Sequence, residues 1–284
     1  MSSRNAKRVK ENGMEQIMID LKPRRCDSFV YSNKDLDVTK LVKYIEEKKK
    51  ENSDITFFHA FVTALGKLIY NRNKLNRFVQ NRHIYEHNDI IISFVAKVSF
   101  DDKAEEIMIM VPIKENDNIN TICKYIKDKV SEIRNGKLKK EGANDAIDIL
   151  GKLPNIIRIP LIGILKWSDD KGILPKSLIQ DNLYYSSTIV SNLGSIKSNA
   201  IHHNITNFGT CSSLITMGEI HNKEIIDNDN NKKIIKACDW GMAFDERVAD
   251  GFYLIKSIEL LQYIFDNPEL LEHNASEIID YQKK

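Results

Sequence analysis

Apolar residues recur along this chain with two periods, and the switches between them mark out its elements. From Met14 to Leu21 apolar and polar positions alternate, which predicts an early strand before the break at Pro23. Phe29-Val-Tyr31 predicts a second short strand. Asp37-Val-Thr-Lys40 predicts the start of a helix that runs through Leu41, Val42, Tyr44 and Ile45 to a lysine-rich end. Thr56 predicts the next N-cap, and Phe57, Phe58, Phe61, Val62, Leu65, Leu68 and Ile69 follow at the spacing of a well-buried helix.

Beyond Leu75 the period shortens. Arg77-Phe-Val79 and Arg82-His-Ile-Tyr85 flank Gln80-Asn81, a hairpin-turn pair. Ile90 to Val98 and Glu106 to Pro112 predict two strands about a polar turn at Asp101-Asp102, and Ile119 to Ile133 predicts an amphipathic helix ending near Asn135-Gly136. Tyr184 to Val190 predicts a strand that opens into Ser191-Asn-Leu-Gly194. Cys211 to Ile220 and Ile234 to Met242 predict strands joined by a polar hairpin, Asp227 to Lys233. A last helix carries Phe252, Ile255, Ile258, Leu261 and Phe265 on one face and is closed by Pro268. Strand groups interleaved with long helices describe an α/β layered fold. No Pro/Gly-rich boundary divides it, so residues 1–284 are read as a single domain, with 1–13 expected to fray.

The stretch from Ile147 to Trp167 is the most lipophilic of the chain. Lys152, Arg158, Lys166, Pro154 and Pro160 interrupt it, so it makes a poor transmembrane helix. Two readings stand: a buried or interface-packed hairpin of short helices, or an element that touches a membrane surface or an acyl chain.

Composition narrows the class further. The chain has 284 residues, 42% hydrophobic, with a formal net charge of +2, enough for a sizeable core and no electrostatic argument for a nucleic-acid partner. Its four cysteines (Cys26, Cys123, Cys211, Cys238) are far apart, which argues against a zinc site or a disulfide scaffold and for reduced thiols in the cytoplasm. No His/Cys/Asp cluster has metal-ligand spacing, and no signal peptide is readable.

The most specific segment is Phe244-Asp-Glu-Arg-Val-Ala-Asp-Gly-Phe252, between a strand and the last helix. It resembles the Asp-His-Arg-x-x-Asp-Gly signature of the chloramphenicol acetyltransferase and dihydrolipoamide acyltransferase superfamily. Asp245, Arg247, Asp250 and Gly251 match that pattern, and Glu246 stands where the family keeps histidine. Ser191-Asn-Leu-Gly194 resembles the family's Ser-Asn-Leu-Gly stretch, and the likeness covers most of residues 15–272. It implies a two-layer sandwich, a mixed sheet with helices packed on it. It also implies a coenzyme A or acyl-CoA cofactor, a small-molecule thiol or hydroxyl acceptor and a homotrimer whose site lies between subunits. The segment at about 138–182 is an insertion with no motif of its own. The expected layout has no lipoyl or subunit-binding domain.

The resemblance also assigns roles. A base must take the acceptor's proton, and a hydroxyl must support the tetrahedral oxyanion. Ser191 matches the hydroxyl position, with a serine that merely closes a turn before Gly194 as the alternative. Asp250 would be an orienting or structural carboxylate, ion-paired rather than reactive. Glu246 fits the base position poorly: a glutamate near 4.3 facing a thiol near 8.5 leaves a gap of roughly 4 pKa units, about 6 kcal/mol. Burial beside Asp245 or Asp250 would narrow it. Three roles for Glu246 stay open: base, structural or binding carboxylate in an inactive pocket, and a different chemistry. His202 and His203 are candidate surrogate bases, or solvent-exposed loop residues. His59 reads as a core histidine, and Asp245 with Arg247 as a surface ion pair.

Overall fold

The Thr56 side chain accepts the backbone N–H of His59 while the His59 imidazole accepts that of Thr56, and this reciprocal cap starts the most buried helix of the molecule. A computed structural model describes residues 5–51, 53–97, 106–134, 149–226 and 229–281. The strands are β1 (Ala6–Arg8), β2 (Phe29–Asp37), β3 (Arg77–Gln80), β4 (His83–His87), β5 (Ile90–Lys97), β6 (Glu106–Ile113), β7 (Thr188–Asn192), β8 (Ser213–Ile226) and β9 (Lys232–Asp245). The helices are α1 (Gly13–Leu21), α2 (Thr39–Lys50), α3 (Phe57–Asn71), α4 (Ile119–Arg134), α5 (Asn155–Asp170), α6 (Lys176–Ile179) and α7 (Gly251–Asp266).

A six-stranded mixed sheet, in the order β2-β9-β8-β7-β5-β6, carries the architecture. β7 runs parallel to both β5 and β8, whereas β2–β9, β8–β9 and β5–β6 are antiparallel. A separate three-stranded sheet has the order β1-β4-β3. One face of the large sheet packs under helices: Val190, Ile215, Trp240, Met242 and Phe244 join Phe61, Leu65, Ile122, Leu261 and Phe265 in the main core. The alternate residues Ile189 and Leu214 face the other way and pack with Leu183, Ile205 and Cys211 beneath a covering loop. The α/β expectation with helices on a mixed sheet therefore holds.

Several elements differ in kind or extent from the sequence reading. Gly13–Leu21 is a helix and not a strand, because Asn12 and Glu15 form a capping box with both bonds at 2.9 Å. Met14, Ile17 and Leu21 keep helical spacing while Ile17, Ile19 and Leu21 alternate, and local capping decides. Ala6–Arg8, in the stretch expected to fray, pairs with β4. The β3–β4 turn is centred one residue later than expected, on Asn81 and Arg82, both at positive φ. β2, β8 and β9 are longer than their apolar runs suggested, since polar residues keep pairing at the sheet's end. β7 begins only at Thr188, after a 3-10 turn over Leu183–Tyr185.

The insertion is the clearest departure. Its residues 138–148, and the expected turns at Asp101-Asp102 and Asn135-Gly136, lie outside the described residues. Beyond a short helical stretch at 149–152, α5 is one helix with Pro160 inside it, and most of it is exposed rather than buried. No helix among the described residues is long and apolar enough to cross a membrane.

Candidate functional site

Asp245 ends β9 fully buried, and its carboxylate organises the ground around the signature segment. Arg247 grips both of its oxygens, Nε to Oδ1 at 2.8 Å and Nη2 to Oδ2 at 2.6 Å, and Ser28 Oγ donates to Oδ1 at 2.8 Å. Arg247 is itself buried, so the expected surface pair is in fact an interior clamp. A forked guanidinium–carboxylate contact of this kind adds geometric specificity as well as energy. Arg247 Nη1 also donates to the carbonyls of Lys22 and Pro23 at 3.2 and 3.0 Å, tying the segment between α1 and β2 to the start of α7.

A second buried guanidinium, Arg25, lies 3.9 Å from Asp245 and donates to the carbonyls of Thr206 and Gly209, each at 2.7 Å. Burial pushes this group down from its ordinary value, and the Asp245 charge opposes the push. Lys22, Arg25 and Ser28 are supporting residues that sequence reasoning missed. They lie more than 200 positions from the signature, and no spacing rule connects the two.

Glu246 turns the other way. Its backbone N–H donates to the Ser28 carbonyl at 3.0 Å, and its half-buried carboxylate is ion-paired with Lys22. The clamp holds the Lys22 backbone, so the cation is delivered to Glu246 by the fold. Asp250 accepts the Tyr253 N–H at 2.7 Å as the N-cap of α7. The expected ion pair for Asp250 is absent among the described residues, because the carboxylate is committed to the helix end.

Ser191 lies elsewhere on the sheet. It pairs with Thr216 of β8 and shares the loop-covered face with Ile189, and its hydroxyl has no partner among the described residues. The Asp245 backbone N–H, by contrast, donates to the carbonyl of Ser212, just before β8. The four-residue step from Ser212 to Thr216 corresponds to about 13 Å of strand rise. One copy of the chain therefore does not bring Ser191 and Glu246 together. Gly194 follows in tight contact: a Cβ there would meet the Gly218 carbonyl oxygen at 2.6 Å. The motif's glycine is required by this close approach.

Past Gly194 the chain crosses the sheet. Ile201 lies so close over Gly241 that a Cβ on the glycine would sit 2.7 Å from the Ile201 carbonyl oxygen. His202 and His203 follow on the exposed side of this crossing. His202 meets the Tyr31 ring edge-on at 5.2 Å, and His203 Nδ1 is 2.9 Å from the Asn204 carbonyl. Neither is within bonding distance of Ser191 or Glu246. His59 is a buried capping residue, as expected, with Cys123 Sγ 3.3 Å from its Nδ1.

A cleft of about 410 Å³ opens at the end of β7, between Thr56–Phe58 at the N-terminus of α3 and a wall of Asn192, Gly194, Met217 and Glu219. Its size suits part of a small ligand, and the helix N-terminus favours an anionic group. A larger cavity of about 730 Å³, walled by Ile91, Met110, Tyr125 and Ser187, holds none of the sequence-derived candidates. Asp35, His221 and Asp239 gather within 4.8 Å of one another on three strand segments that no spacing rule would link, and Lys223 already pairs with Asp35.

No protein-family model matches the chain, and no curated protein matches it in sequence. Solved structures do match in shape. The probable dihydrolipoamide acetyltransferase from Listeria monocytogenes superposes with a TM-score of 0.61 at 17% identity, over 92% of this chain and 94% of that one. The fold is the one seen in dihydrolipoamide acetyltransferase and chloramphenicol acetyltransferase structures. The dihydrolipoamide acetyltransferase of Azotobacter vinelandii gives 0.60 at 11% identity, over 93% of each chain. A chloramphenicol acetyltransferase gives 0.56 at 10% identity, over 92% of this chain and 99% of that one. Within this acyltransferase-like fold, Asp245 and Arg247 serve the frame, and Glu246 and Ser191 are only partly buried.

Proposed function

We propose that the protein binds acyl-coenzyme A as a homotrimer, in a channel shared between neighbouring copies, with Glu246 as an anchoring carboxylate and not the base. The Lys22–Glu246 ion pair carries this reading. The pair engages the carboxylate that a base would need free, and a glutamate is in any case an intrinsically weak acceptor for a thiol proton. The separation of Ser191 from Glu246 within one chain supports a site completed by a second copy. The cleft beside Gly194 fits the pantetheine arm of the cofactor better than the whole of it, so the remainder would extend along the junction between copies. Four free thiols, three of them buried, suit a cytoplasmic setting.

Isothermal titration with coenzyme A and acetyl-CoA tests the binding, and light scattering tests the trimer. Thiol release from acyl-CoA then tests the role of Glu246. Background turnover that rises in Glu246→His supports the reading. Wild-type turnover that Glu246→Gln abolishes overturns it.

The free Ser191 hydroxyl favours a second reading, acyl transfer to a small-molecule acceptor with a surrogate base. His202, steadied by Tyr31, and His203 are its candidates. Wild-type turnover that survives Glu246→Gln and disappears in His202→Ala or His203→Ala would select it.

A further inference from the structure

The insertion between α4 and β7 takes no part in the geometry around Glu246, yet its helix is held in a fixed orientation. The buried Asp169 carboxylate accepts the Tyr185 hydroxyl at 2.6 Å and the Gly209 N–H at 2.8 Å, and the Asp169 carbonyl accepts Gln80 Nε2 at 2.6 Å. These bonds fix the C-terminal end of α5, so the helix is not free to roll about its axis. With 3.6 residues per turn, Arg158, Leu161, Leu165 and Ser168 fall on the half-buried side, next to Asp169.

The opposite side is apolar and faces solvent. Ile156, Ile159, Pro160, Gly163, Ile164 and Trp167 share it, with Ile156 84% and Trp167 57% exposed. Surface helices of globular proteins turn their apolar stripe inward, and this one is inverted. Scattered exposed apolar residues are ordinary, but a continuous stripe on an anchored helix marks an interaction surface.

Charge selects the occupant. From Ile149 to Ser168 the chain carries Lys152, Arg158 and Lys166 and no carboxylate, and at the helix end the exposed Asp170 lies 3.9 Å from Lys171. An apolar face with a tryptophan and flanking cations suits the boundary between lipid headgroups and acyl chains, where anionic headgroups meet the cations. A second copy docked isologously on the same stripe would bring no carboxylate to meet the Lys166 that borders it. At 16 residues α5 is about 24 Å long, which suits lying in the plane of a membrane rather than crossing it.

We propose that α5 is an interfacial helix that seats the protein on an anionic lipid surface through Ile156, Ile159, Ile164 and Trp167. α1 and α5 meet the same β3–β4 turn. Arg82 of the β3–β4 turn pairs with Asp20 of α1 at 2.7 Å, and Asn81 of that turn bonds Asp170 of α5 at 3.2 Å. α1 also leaves Met14, Ile17 and Leu21 in solvent.

Flotation of the full chain with phosphatidylcholine vesicles, with and without phosphatidylglycerol, tests the proposal. The protein is expected to float with the anionic vesicles. Trp167 emission should shift to the blue and be quenched by brominated lipid, while the buried Trp240 gives a constant background. Ile156→Asp with Ile164→Asp should abolish flotation at an unchanged melting temperature, since both side chains are exposed. Lys166→Gln should weaken binding about fivefold. The proposal is overturned if the wild type stays out of the floated fraction with unchanged emission, or if the double isoleucine variant binds as well as the wild type. It is equally overturned if no vesicle binds and the double variant lowers the mass in light scattering, which would assign the stripe to a second copy.

Discussion

Lys22 and Glu246 meet as an ion pair although 224 positions separate them, and the buried Asp245–Arg247 clamp is what brings them together. Arg247 holds the Lys22 and Pro23 carbonyls, and Asp245 holds Arg247 and Ser28. The clamp and the pair should respond very differently to mutation. Arg247→Ala leaves a buried carboxylate short of its main partner and should cost about 3–5 kcal/mol in urea unfolding. Lys22→Met breaks a half-exposed pair and should cost under about 1 kcal/mol. A loss for Arg247→Ala no larger than that for Lys22→Met would refute the interior clamp.

His59 should make stability sensitive to mild acid. Burial, then the charge of Lys127, holds its imidazole below the ordinary value, and in the neutral form it accepts the Thr56 N–H. The unfolded chain takes up a proton near pH 6.5, whereas the folded protein does so only at lower pH. The stabilisation is therefore complete above about pH 6.5 and is lost as the pH falls from there through the folded value. His59→Gln keeps an acceptor without the titration. Melting temperatures across this range should show a shallower acid limb in the variant, and an unchanged slope would rule His59 out as the source.

The glycines under the crossing loop should not tolerate a methyl group. Gly194→Ala would set Cβ 2.6 Å from the Gly218 carbonyl oxygen, and Gly241→Ala would set it 2.7 Å from that of Ile201. Both neighbours are backbone, so neither can swing aside. Each substitution should cost about 1–3 kcal/mol in denaturant unfolding. Gly13→Ala, where a Cβ meets nothing within 4 Å, is the control and should be neutral or mildly stabilising.

Thiol labelling should separate the cysteines. Cys26 is exposed, while Cys123, Cys211 and Cys238 are buried. Burial pushes all three buried thiols up, Cys238 to about 12. An aromatic disulfide reagent at mild alkaline pH should modify Cys26 quickly and the rest only on unfolding, as read by mass spectrometry. Rapid reaction at Cys238 would mean that β9 opens locally.

Much of the fold was legible because its signals are local. Thr56 with Phe57–Ile69, the runs that became β5 and β6, and the strand before Ser191 each follow from periodicity and capping within a dozen residues. Gly13–Leu21 was misread because Ile17, Ile19 and Leu21 alternate while Met14, Ile17 and Leu21 keep helical spacing, and the Asn12–Glu15 box that decides between them is polar. In the candidate site, the two motif segments were readable, whereas the close approach at Gly194 and the burial of Asp245 and Arg247 were not. An Asp-x-Arg triplet reads the same on a surface as in an interior.

The sequence by itself determined the α/β layering, the resemblance carried by Asp245–Gly251 and Ser191–Gly194, and the substitution of glutamate at 246. Those depend on residue type and near-neighbour spacing. Only the tertiary structure decided that Lys22 pairs with Glu246 and that α5 turns its apolar side outward. Each of these depends on contacts between distant segments, Lys22 with Glu246 and Asp169 with Tyr185, Gly209 and Gln80. Periodicity shows that a helix has an apolar face, but anchoring bonds from the rest of the chain decide which way that face points.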